Sequence, residues 1–346
     1  MKMRPLLIIR ADATPEIGTG HLMRTLALAH AWRDRAGDVI FVSCCRSRGL
    51  GRRMAEFARQ VVTLDRAHPD PGDWEKTARI LNAHGEAWVA LDGYHFDGGY
   101  HKNIRALGKR LLVVDDMAHL DHYEADIVLN QNIDAADRSY STAAFTRLLL
   151  GPQYILLRPE FVERIAPTRN IAGPACRLLV TLGGADPGNM TLTVIQALEK
   201  INIDGFEALI VVGSANPNLQ QIQAAGSRSS VSMRVVDNAP DMAELMAWAD
   251  LAVSAGGSTC WELAYMGVPT LAITMADNQL AVVKGLARAG AIVALGWHQD
   301  VSSAEIARAV QNLATDVDKR IQMQRCGRNL VDGGGAQRVL TGMLAV

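Results

Sequence analysis

The stretch LLIIRADATPEIGTGHLMRTLALA, residues 6–29, contains an apolar run, a glycine-bearing loop and a helical pattern, in that order. The run Leu6–Arg10 shows no strict alternation of apolar and polar residues, which is typical of a strand covered on both faces. After Gly20, four apolar residues are spaced so that they share one face of a helix: Leu22, Leu26, Ala29 and Trp32. This order predicts the first strand, loop and helix of an α/β fold.

The same alternation recurs along the chain. In the first half, further apolar runs predict strands at Val39–Ser43, Val61–Leu64, Trp88–Asp92, Leu111–Asp115 and Ile127–Asn130. A second series predicts strands at Leu178–Leu182, Ala208–Val212, Met233–Val236, Leu251–Ser254, Thr270–Thr274 and Ile292–Leu295. Strands that alternate with segments of helical length favour a doubly wound parallel sheet in each half.

These two series predict an α/β fold of two Rossmann-like domains. We expect an N-terminal domain over residues 1–165 and a C-terminal domain over residues 175–346. The segment Phe161–Cys176 is polar and carries prolines, so it is the predicted linker. The final helix, about Ala336–Leu344, is a candidate to cross back and pack on the first domain.

The composition is that of an ordinary globular protein. Of the 346 residues, 49% are hydrophobic and 21% are charged, and 35 Lys and Arg residues are balanced by 36 Asp and Glu residues. Without a net positive charge the chain offers no broad field for nucleic acid or for an anionic membrane, so neither is an expected partner. The sequence leaves the oligomeric state open, with a monomer favoured.

The cysteines and the N-terminal segment indicate in which cellular compartment the protein is expected. The chain has five cysteines that form no C-x-x-C pair and no cluster with zinc-ligand spacing: Cys44, Cys45, Cys176, Cys260 and Cys326. This pattern favours free thiols in a reducing compartment. The first apolar run, Leu6–Ile9, is too short for a signal peptide or a membrane span. We therefore expect a cytoplasmic protein.

The loop after the first strand is the first candidate ligand site, because open α/β sheets bind ligands at the carboxyl ends of strands. This loop, Arg10–His21, carries Gly18 and Gly20, which let the backbone turn tightly and approach a ligand. Position 23 is Met23 instead of the third glycine of the dinucleotide fingerprint, and no P-loop lysine follows. The alternative is a plain glycine turn with His21 in contact with solvent.

A second strand-to-helix loop is GGADPGN, over Gly183–Asn189. Gly183 and Gly184 permit the close approach of an anion, and Asp186 followed by proline suits a helix start. The alternative is that Asp186 only caps the next helix. Capping uses the carboxylate whereas a ligand would meet the glycine backbone, so both interpretations can hold.

A third loop is SAGGSTCWE, over Ser254–Glu262. Gly256 and Gly257 expose backbone N–H groups, and the hydroxyl of Ser258 or Thr259 can donate a hydrogen bond to a phosphate. The loop therefore predicts a phosphate contact.

Three further polar side chains suit a sugar nucleotide. The carboxylate of Glu262 can accept two hydroxyl hydrogens from a ribose, although a first-turn acid also interacts favourably with the helix dipole. Asn278 and Gln279, within ADNQ, supply amides that suit sugar hydroxyls and also suit turns.

Carboxylates with metal-ligand spacing are few. Asp316 and Asp318 form the only D-x-D motif, in a polar helical stretch that is typical of a solvated surface. Asp115 and Asp116 end a predicted strand, so a metal role is conceivable, but we find no complete ligand set beside them. We expect no bound metal and no cofactor.

The second half of the chain resembles the peptidoglycan N-acetylglucosaminyltransferases. This resemblance implies the GT-B architecture, in which two Rossmann-like domains face each other across a cleft. The matching stretch begins with VVDNAPDMAELMAWADLAVSAGGSTCWELAYMGVPTLAI and runs into ADNQ, over about Val235–Gln279. The resemblance implies contacts with each part of a nucleotide sugar: uracil at the Asn238–Met242 turn, diphosphate at Gly256–Ser258, ribose at Glu262, and sugar at Asn278 and Gln279.

The motifs of the first half are similar to those of another family. They are IRADATPEIGTGHLMRTLALA, VALDGYHFDGGY, LLVVDDMAH, ADIVLNQN, LLGPQYILLRPEF and LVTLGGADPGN. Together they resemble the UDP-2,4-diacetamido-2,4,6-trideoxy-β-L-altropyranose hydrolases of pseudaminic acid biosynthesis, over about residues 9–279. The chain has LDGYHF where that family often has Asp-His-Tyr or Asp-Ser-Tyr, so Gly93 replaces a polar residue.

This second resemblance implies a catalytic base and a substrate. The base would be His21, the loop Gly18, Thr19 and Gly20 would bind the substrate, and Tyr94 would lie near the nucleotide sugar. The implied reaction is hydrolysis of the anomeric C–O bond with inversion, without a metal, to give UDP and the free sugar. The alternatives are a GT-B glycosyltransferase that uses a UDP-sugar donor, and a non-catalytic protein that binds a nucleotide sugar.

Overall fold

The computed structural model describes residues 5–14, 16–35, 37–164, 169–213, 215–237, 239 and 241–346. The chain divides into two compact units: unit 1 is Met1–Pro159 together with Gly333–Val346, and unit 2 is Glu160–Asp332. The boundary at residues 159/160 precedes the predicted linker. Both ends of that segment belong to unit 2, because Phe161 and Ala175 are buried in its apolar core.

Unit 1 contains one sheet of seven parallel strands in the order β3-β2-β1-β4-β5-β6-β7. The strands are β1 (Leu6–Ala11), β2 (Asp38–Ser43), β3 (Gln60–Thr63), β4 (Trp88–Asp92), β5 (Arg110–Val114), β6 (Ile127–Asn130) and β7 (Arg147–Leu150). In the register, Ile8 of β1 lies beside Ile40 of β2 on one side and beside Val89 of β4 on the other. These strands are apolar throughout because both faces of the sheet are covered.

The helices of unit 1 pack on both faces of this sheet. They are α1 (Gly20–Asp34), α2 (Arg48–Phe57), α3 (Pro71–Ala83), α4 (Gly98–Ala106) and α13 (Gly335–Leu344), with 3-10 turns at Ala135–Asp137 and Pro152–Tyr154. Because side chains alternate along a strand, Leu7 and Ile9 pack with α1 and α13 on one face, while Ile8 packs with Ile104 of α4 on the other. The last helix is therefore part of the core of unit 1.

Unit 2 contains a sheet of six parallel strands in the order β10-β9-β8-β11-β12-β13. The strands are β8 (Arg177–Thr181), β9 (Glu207–Val212), β10 (Ser232–Asp237), β11 (Leu251–Ala255), β12 (Thr270–Thr274) and β13 (Ile292–Trp297). The helices are α5 (Pro159–Val162, which begins at the unit boundary), α6 (Met190–Leu198), α7 (Leu219–Arg228), α8 (Met242–Trp248), α9 (Thr259–Tyr265), α10 (Leu280–Arg288), α11 (Ser303–Thr315) and α12 (Val317–Leu330), with a 3-10 turn at Asp277–Gln279. None of the helices in the described part of the chain is long and apolar enough to cross a membrane.

The strand β7 is a difference from the sequence prediction, which did not include it. It is a short edge strand, RLLL, and its first two residues, Arg147 and Leu148, are exposed. A four-residue run of this kind has no periodicity that separates it from a loop, and its pairing with β6 is visible only in the folded sheet. The other strands lie within two residues of their predicted positions.

In both sheets the strand order reverses at one point, between β1 and β4 in unit 1 and between β8 and β11 in unit 2. Open α/β sheets bind ligands at such a switch point, outside the carboxyl ends of the strands. At the switch point of unit 1 lie residues 12–14, 16–19 and 93–97, and at the separate switch point of unit 2 lie residues 182–189 and 256–258. All three glycine loops found in the sequence are among them.

Candidate functional site

The first helix of unit 1 places His21 at the carboxyl end of the sheet. The imidazole Nδ1 of His21 lies 2.7 Å from Oδ1 of Asp92, the last residue of β4. Asp92 is fully buried, whereas the side chain of His21 is 12% exposed. Since a carboxylate only accepts hydrogen bonds, Nδ1 of His21 donates. Among the described residues Nε2 of the ring has no hydrogen-bond partner, so in the neutral ring this nitrogen can take a proton.

Arg24 fixes the same carboxylate from another side. Its Nε donates to Oδ2 of Asp92 at 2.6 Å and its Nη2 to Oδ1 at 2.7 Å, while Nη1 donates to Asp116 at 2.8 Å. Nη2 also lies 3.3 Å from Nδ1 of His21, but the shorter contact to the carboxylate decides that Nδ1 is a donor. The bidentate arginine thus orients the carboxylate toward His21.

The charge of Arg24 also sets the ionisation of Asp92. Burial by itself would raise the pKa of this carboxyl, but the positive charge of Arg24 and hydrogen bonds from Arg24 and His21 hold the pKa below its ordinary value. Asp92 is therefore ionised at neutral pH. An ionised carboxylate at this distance stabilises the positive charge that His21 acquires when it accepts a proton.

Tyr94 completes the group, two positions after Asp92. Its hydroxyl donates a hydrogen bond to Asp116, and its ring meets the ring of His21 edge-on with 4.8 Å between centroids. Burial and the negative charge of Asp116 raise the pKa of Tyr94, so the phenol stays protonated. The structure thus brings together His21 and Tyr94, two residues that the sequence motifs indicate separately.

The loop before α1 is open above its glycines. Gly18 has a φ of +79°, in the left-handed region that favours glycine. An added Cβ at Gly18 or at Gly20 would meet nothing within 4 Å, and Thr19 makes no side-chain hydrogen bond to the first turn of α1. The first turn of α1 therefore has no side-chain cap from Thr19, and its backbone N–H groups are candidates to bind an anion.

In unit 2, Gly183 and Gly184 form the exposed turn between β8 and α6. The carboxylate of Asp186 accepts hydrogen bonds from two backbone N–H groups in the first turn of α6, both at 2.9 Å, so its capping role is confirmed. Gly213, after β9, approaches this turn so closely that an added Cβ would lie 2.5 Å from the Cα of Gly184. The glycine backbone itself stays accessible.

The loop between β11 and α9 holds Gly256, Gly257 and Ser258. The N–H of Gly256 donates to the carbonyl of Ile273 at 2.9 Å, and an added Cβ would lie 2.2 Å from Cγ2 of Val283, so only glycine fits. This N–H is occupied within the sheet and is not available to a ligand. Gly257 is half-buried and Ser258 is exposed, which leaves these two residues as the accessible part of the predicted phosphate loop.

The other residues of unit 2 that were predicted to contact the nucleotide sugar differ in their exposure to solvent. Glu262 is largely buried, at 6% exposure, in α9. Gln279 is half-buried beside the Gly256 loop and its Oε1 accepts from the N–H of Met275 at 2.9 Å, whereas Asn278 is exposed. Of the predicted uracil turn, Met242 is half-buried at the start of α8. Asn238 lies outside the described residues.

Carboxylates near the sheet edge are held by protein donors. Asp116 is bound by the guanidinium and the phenol described above, and Asp115 accepts from the ring of His119 at 2.8 Å and from the hydroxyl of Tyr123. Asp316 accepts from a backbone N–H at 2.8 Å and caps α12. Within the ranges that the structure describes, no group of three or more His, Cys, Asp and Glu side chains is placed to hold a metal ion.

The charged partners of His21 were not predicted from the sequence. Asp92 was predicted only as the end of a strand and Asp116 only as a conceivable metal ligand, and Arg24 was not among the candidate residues. One available signal was the three-residue spacing of His21 and Arg24, which places both side chains on the same face of a helix. Another was the position of Asp92 at the carboxyl end of a strand.

Comparisons with known proteins agree with this architecture. Residues 178–333 match the model of the glycosyltransferase family 28 C-terminal domain. The chain is 31% identical over 196 residues to the spore coat polysaccharide biosynthesis protein SpsG of Bacillus subtilis, covering 56% of this chain and 57% of that protein. It is 24% identical over 290 residues to the UDP-2,4-diacetamido-2,4,6-trideoxy-beta-L-altropyranose hydrolase of Campylobacter jejuni, covering 82% of this chain and 97% of that protein. The chain spans a little over half of the length of the first two curated relatives it matches, 57% and 56%.

Solved structures share the fold. The crystal structure of Acinetobacter baumannii MurG is similar with a TM-score of 0.67 and 16% identity, covering 99% of this chain and 100% of that chain. An identity this low shows the fold alone. The prediction of two Rossmann-like domains is confirmed, and the fold is GT-B-like.

Proposed function

We propose that this chain is a GT-B nucleotide-sugar enzyme that hydrolyses UDP-2,4-diacetamido-2,4,6-trideoxy-β-L-altropyranose to UDP and the free sugar. The observation that carries the proposal is the pair of His21 and Asp92, in which a buried carboxylate fixes one ring nitrogen and leaves the other free to accept a proton. A protein that only binds a nucleotide sugar does not need such a pair. Similarity to the Campylobacter hydrolase over 82% of this chain supports the choice of reaction.

The pair supplies the base that the reaction requires. The oxygen of a water molecule forms a bond to the anomeric carbon on the face opposite the diphosphate, the anomeric C–O bond breaks, and its electron pair leaves with UDP. Nε2 of His21 accepts the proton that the water loses. Asp92 keeps the Nδ1–H in place and stabilises the resulting imidazolium. Attack on the opposite face inverts the anomeric configuration.

The proposal assigns the nucleotide to the loops of unit 2. Hydrogen bonds from accessible backbone N–H groups and a hydroxyl would stabilise the charge of the leaving diphosphate. The backbone groups are those of Gly183, Gly184 and Gly257, and the hydroxyl is that of Ser258. Glu262 would accept the ribose hydroxyls. The remaining contacts are those that the sequence predicts: the sugar at Asn278 and Gln279, and uracil at Asn238 and Met242.

Catalysis without a metal is part of the proposal. Asp115 and Asp116 stand at the edge of the sheet, but Arg24, Tyr94 and His119 occupy their oxygens. Glycine-rich loops can stabilise the charge on UDP through backbone N–H groups instead.

A second candidate is transfer of the sugar to an acceptor hydroxyl. The match of residues 178–333 to a glycosyltransferase family favours it. An acceptor hydroxyl would replace water, and His21 would remove its proton in the same geometry. The two reactions therefore differ only in the nucleophile.

The deciding experiment measures UDP release from the diacetamido sugar nucleotide in ¹⁸O-labelled water, with and without candidate acceptors. Hydrolysis predicts release without an acceptor, one ¹⁸O in the anomeric hydroxyl, and an inverted first-formed anomer by NMR. Release that depends strictly on an acceptor would assign the chain as a transferase. Tight binding with no release under either condition would refute an enzymatic function, and the His21→Ala protein gives the background rate.

A further inference from the structure

A second histidine–carboxylate pair lies beside the first. β1 and β4 are neighbouring parallel strands, and Ala11 at the end of β1 is aligned with Asp92 at the end of β4. His21, which follows β1, bonds to Asp92 of β4. Conversely, His95 follows β4, and its Nε2 lies 2.8 Å from Oδ2 of Asp12, directly after β1. In each pair, the histidine that follows one strand therefore bonds to an aspartate at the end of the other strand.

Both pairs lie at the switch point of the sheet. The order of the strands reverses between β1 and β4, which is where open α/β sheets bind ligands. Tyr94 precedes His95 directly in the sequence and meets the ring of His21 edge-on at 4.8 Å. The side chain of His95 is 17% exposed, while that of Asp12 is fully buried. His95 is thus a partly accessible group at the same sheet edge as the proposed base.

The ring of His95 is held in one orientation. Asp12 also accepts from Nη2 of Arg10 at 2.9 Å and from the backbone N–H of Cys44 at 2.6 Å, so its carboxylate cannot turn. The ring of Phe96 packs against the imidazole with 4.1 Å between centroids. Because a carboxylate only accepts, Nε2 of His95 carries a hydrogen. Among the described residues, Nδ1 has no hydrogen-bond partner, which leaves it for a ligand.

Gly93 makes room for this ring. Its φ is +154°, a conformation that favours glycine, and an added Cβ would lie 2.5 Å from Cε1 and 2.8 Å from Nδ1 of His95. The imidazole occupies the space where a side chain at position 93 would begin. The position of the His95 ring therefore depends on glycine at position 93, because a side chain there would push the ring away from Asp12.

We propose that Nδ1 of His95 binds a polar substituent of the sugar, a hydroxyl or an acetamido group, and that Gly93 and His95 together determine which sugar is accepted. The proposal rests on the proposed function, because it assigns a sugar to the switch point where His21 acts. A fixed polar atom discriminates strongly, since a sugar that lacks the matching group leaves it desolvated and unpaired.

The test uses the His21→Ala protein, which is expected to bind the sugar nucleotide without consuming it. Calorimetry gives Kd for UDP, UDP-glucose, UDP-N-acetylglucosamine and the UDP-diacetamido sugar. Adding His95→Ala should weaken binding of the preferred UDP-sugar about 10-fold, as expected for one lost hydrogen bond, and leave UDP unchanged. A loss confined to the acetamido sugars assigns the contact to the acetamido group, and a loss shared by UDP-glucose assigns it to a hydroxyl.

Further variants separate recognition from structure. Gly93→Ala should reproduce the loss, and the combined variant should bind no more weakly than either alone, because both changes remove one contact. If the His95→Ala protein does not fold, the same Kd values are measured for His95→Gln, whose side-chain amide can still donate a hydrogen bond to Asp12. His122→Ala is the matched control, since this exposed histidine lies in the loop after β5, bonds to Ser141 in the loop after β6, and should change nothing.

The outcomes distinguish this inference from the proposed function. An equal loss for UDP and for every UDP-sugar, or no loss for any of them, overturns the role of His95 even if the protein is a hydrolase. Failure of the unmodified protein to release UDP, with a sugar-dependent loss in His95→Ala retained, overturns hydrolysis and supports the sugar contact.

Discussion

The carboxylate of Asp92 accepts a hydrogen bond from the ring of His21 at 2.7 Å, across 71 positions of the sequence. Arg24, on the same helix as His21, holds that carboxylate through two further hydrogen bonds. The pair therefore depends on one helix and one neighbouring strand, both anchored in the core of unit 1. A side chain supported in this way keeps its direction when a substrate binds.

Replacing His21 by Ala should lower kcat by about 10²–10⁴-fold, the usual contribution of a general base. Affinity for UDP should change much less, because the proposal assigns the nucleotide to unit 2. UDP release at saturating substrate and calorimetry with UDP give the two values. The matched control is His30→Ala, a histidine that pairs with Asp34 about 13 Å further along α1 and should leave kcat unchanged. Near-normal turnover in His21→Ala would rule out the assignment.

Asp92→Asn should lower kcat by about 100-fold or more, with UDP affinity retained. An amide can donate as well as accept, so it no longer requires Nδ1 of His21 to carry the hydrogen, and it has no charge to stabilise the imidazolium. The variant should also be destabilised, because Arg24 loses the negative charge of one of its two carboxylate partners and keeps only that of Asp116. Turnover and thermal unfolding measure both effects, and Asp34→Asn is the exposed control. Full turnover in a destabilised Asp92→Asn protein would leave Asp92 with a structural role only.

Glu262→Ala should weaken UDP binding by about 10- to 150-fold, the effect of losing charge-assisted hydrogen bonds to the ribose. Glu262→Gln keeps the shape and should retain part of the affinity. Because Glu262 is largely buried, thermal unfolding of both variants must be measured beside the Kd. Unchanged affinity in a folded Glu262→Ala protein would show that the residue serves only its helix.

Stability should depend on pH through Asp115 and His119. Burial alone would raise the pKa of Asp115, but hydrogen bonds from His119 and Tyr123 lower it to about 2. Relative to ~3.9 in an unfolded chain, this corresponds to roughly 2–3 kcal/mol of folding stability, present above pH ~4 and lost as the pH falls toward 2.

The effect of His119 has the opposite sign. Its hydrogen bond to Asp115 raises its pKa, so its contribution is complete below pH ~6.5 and is lost as the pH rises through the higher folded value. Thermal unfolding of the unmodified protein and of His119→Gln should differ more at pH 6 than at pH 9. A difference that is the same at both pH values would contradict this assignment.

Turnover should be insensitive to EDTA and should not rise when magnesium or manganese is added. The physical reason is that protein donors already occupy the oxygens of Asp115 and Asp116 at the sheet edge. The measurement is initial rate after dialysis against chelator, compared with rate after each metal is restored. Loss of activity in EDTA that a divalent ion reverses would show that the leaving group is stabilised by a metal instead.

The fold was largely predictable because it is encoded locally. A strand buried on both faces must be apolar along its whole length, and β1, β4 and β12 show this directly in the sequence. The edge strand β7 has no such requirement and was missed. The partners of His21 were missed for another reason: Arg24 meets Asp92 across 68 positions and Asp116 across 92, and no local pattern records which charges meet.

The last helix has a consequence for the order in which the protein is made. Leu340 of α13 packs with Leu7 of β1 in the core of unit 1, and Gly335 lies so close to the chain that an added Cβ would be 2.1 Å from the carbonyl oxygen of Ile155. On the ribosome, residues 1–159 emerge first, yet their core stays open until residues 335–344 have also emerged. The half that is synthesised first is therefore completed last, and it must remain unaggregated while the whole of unit 2 is translated.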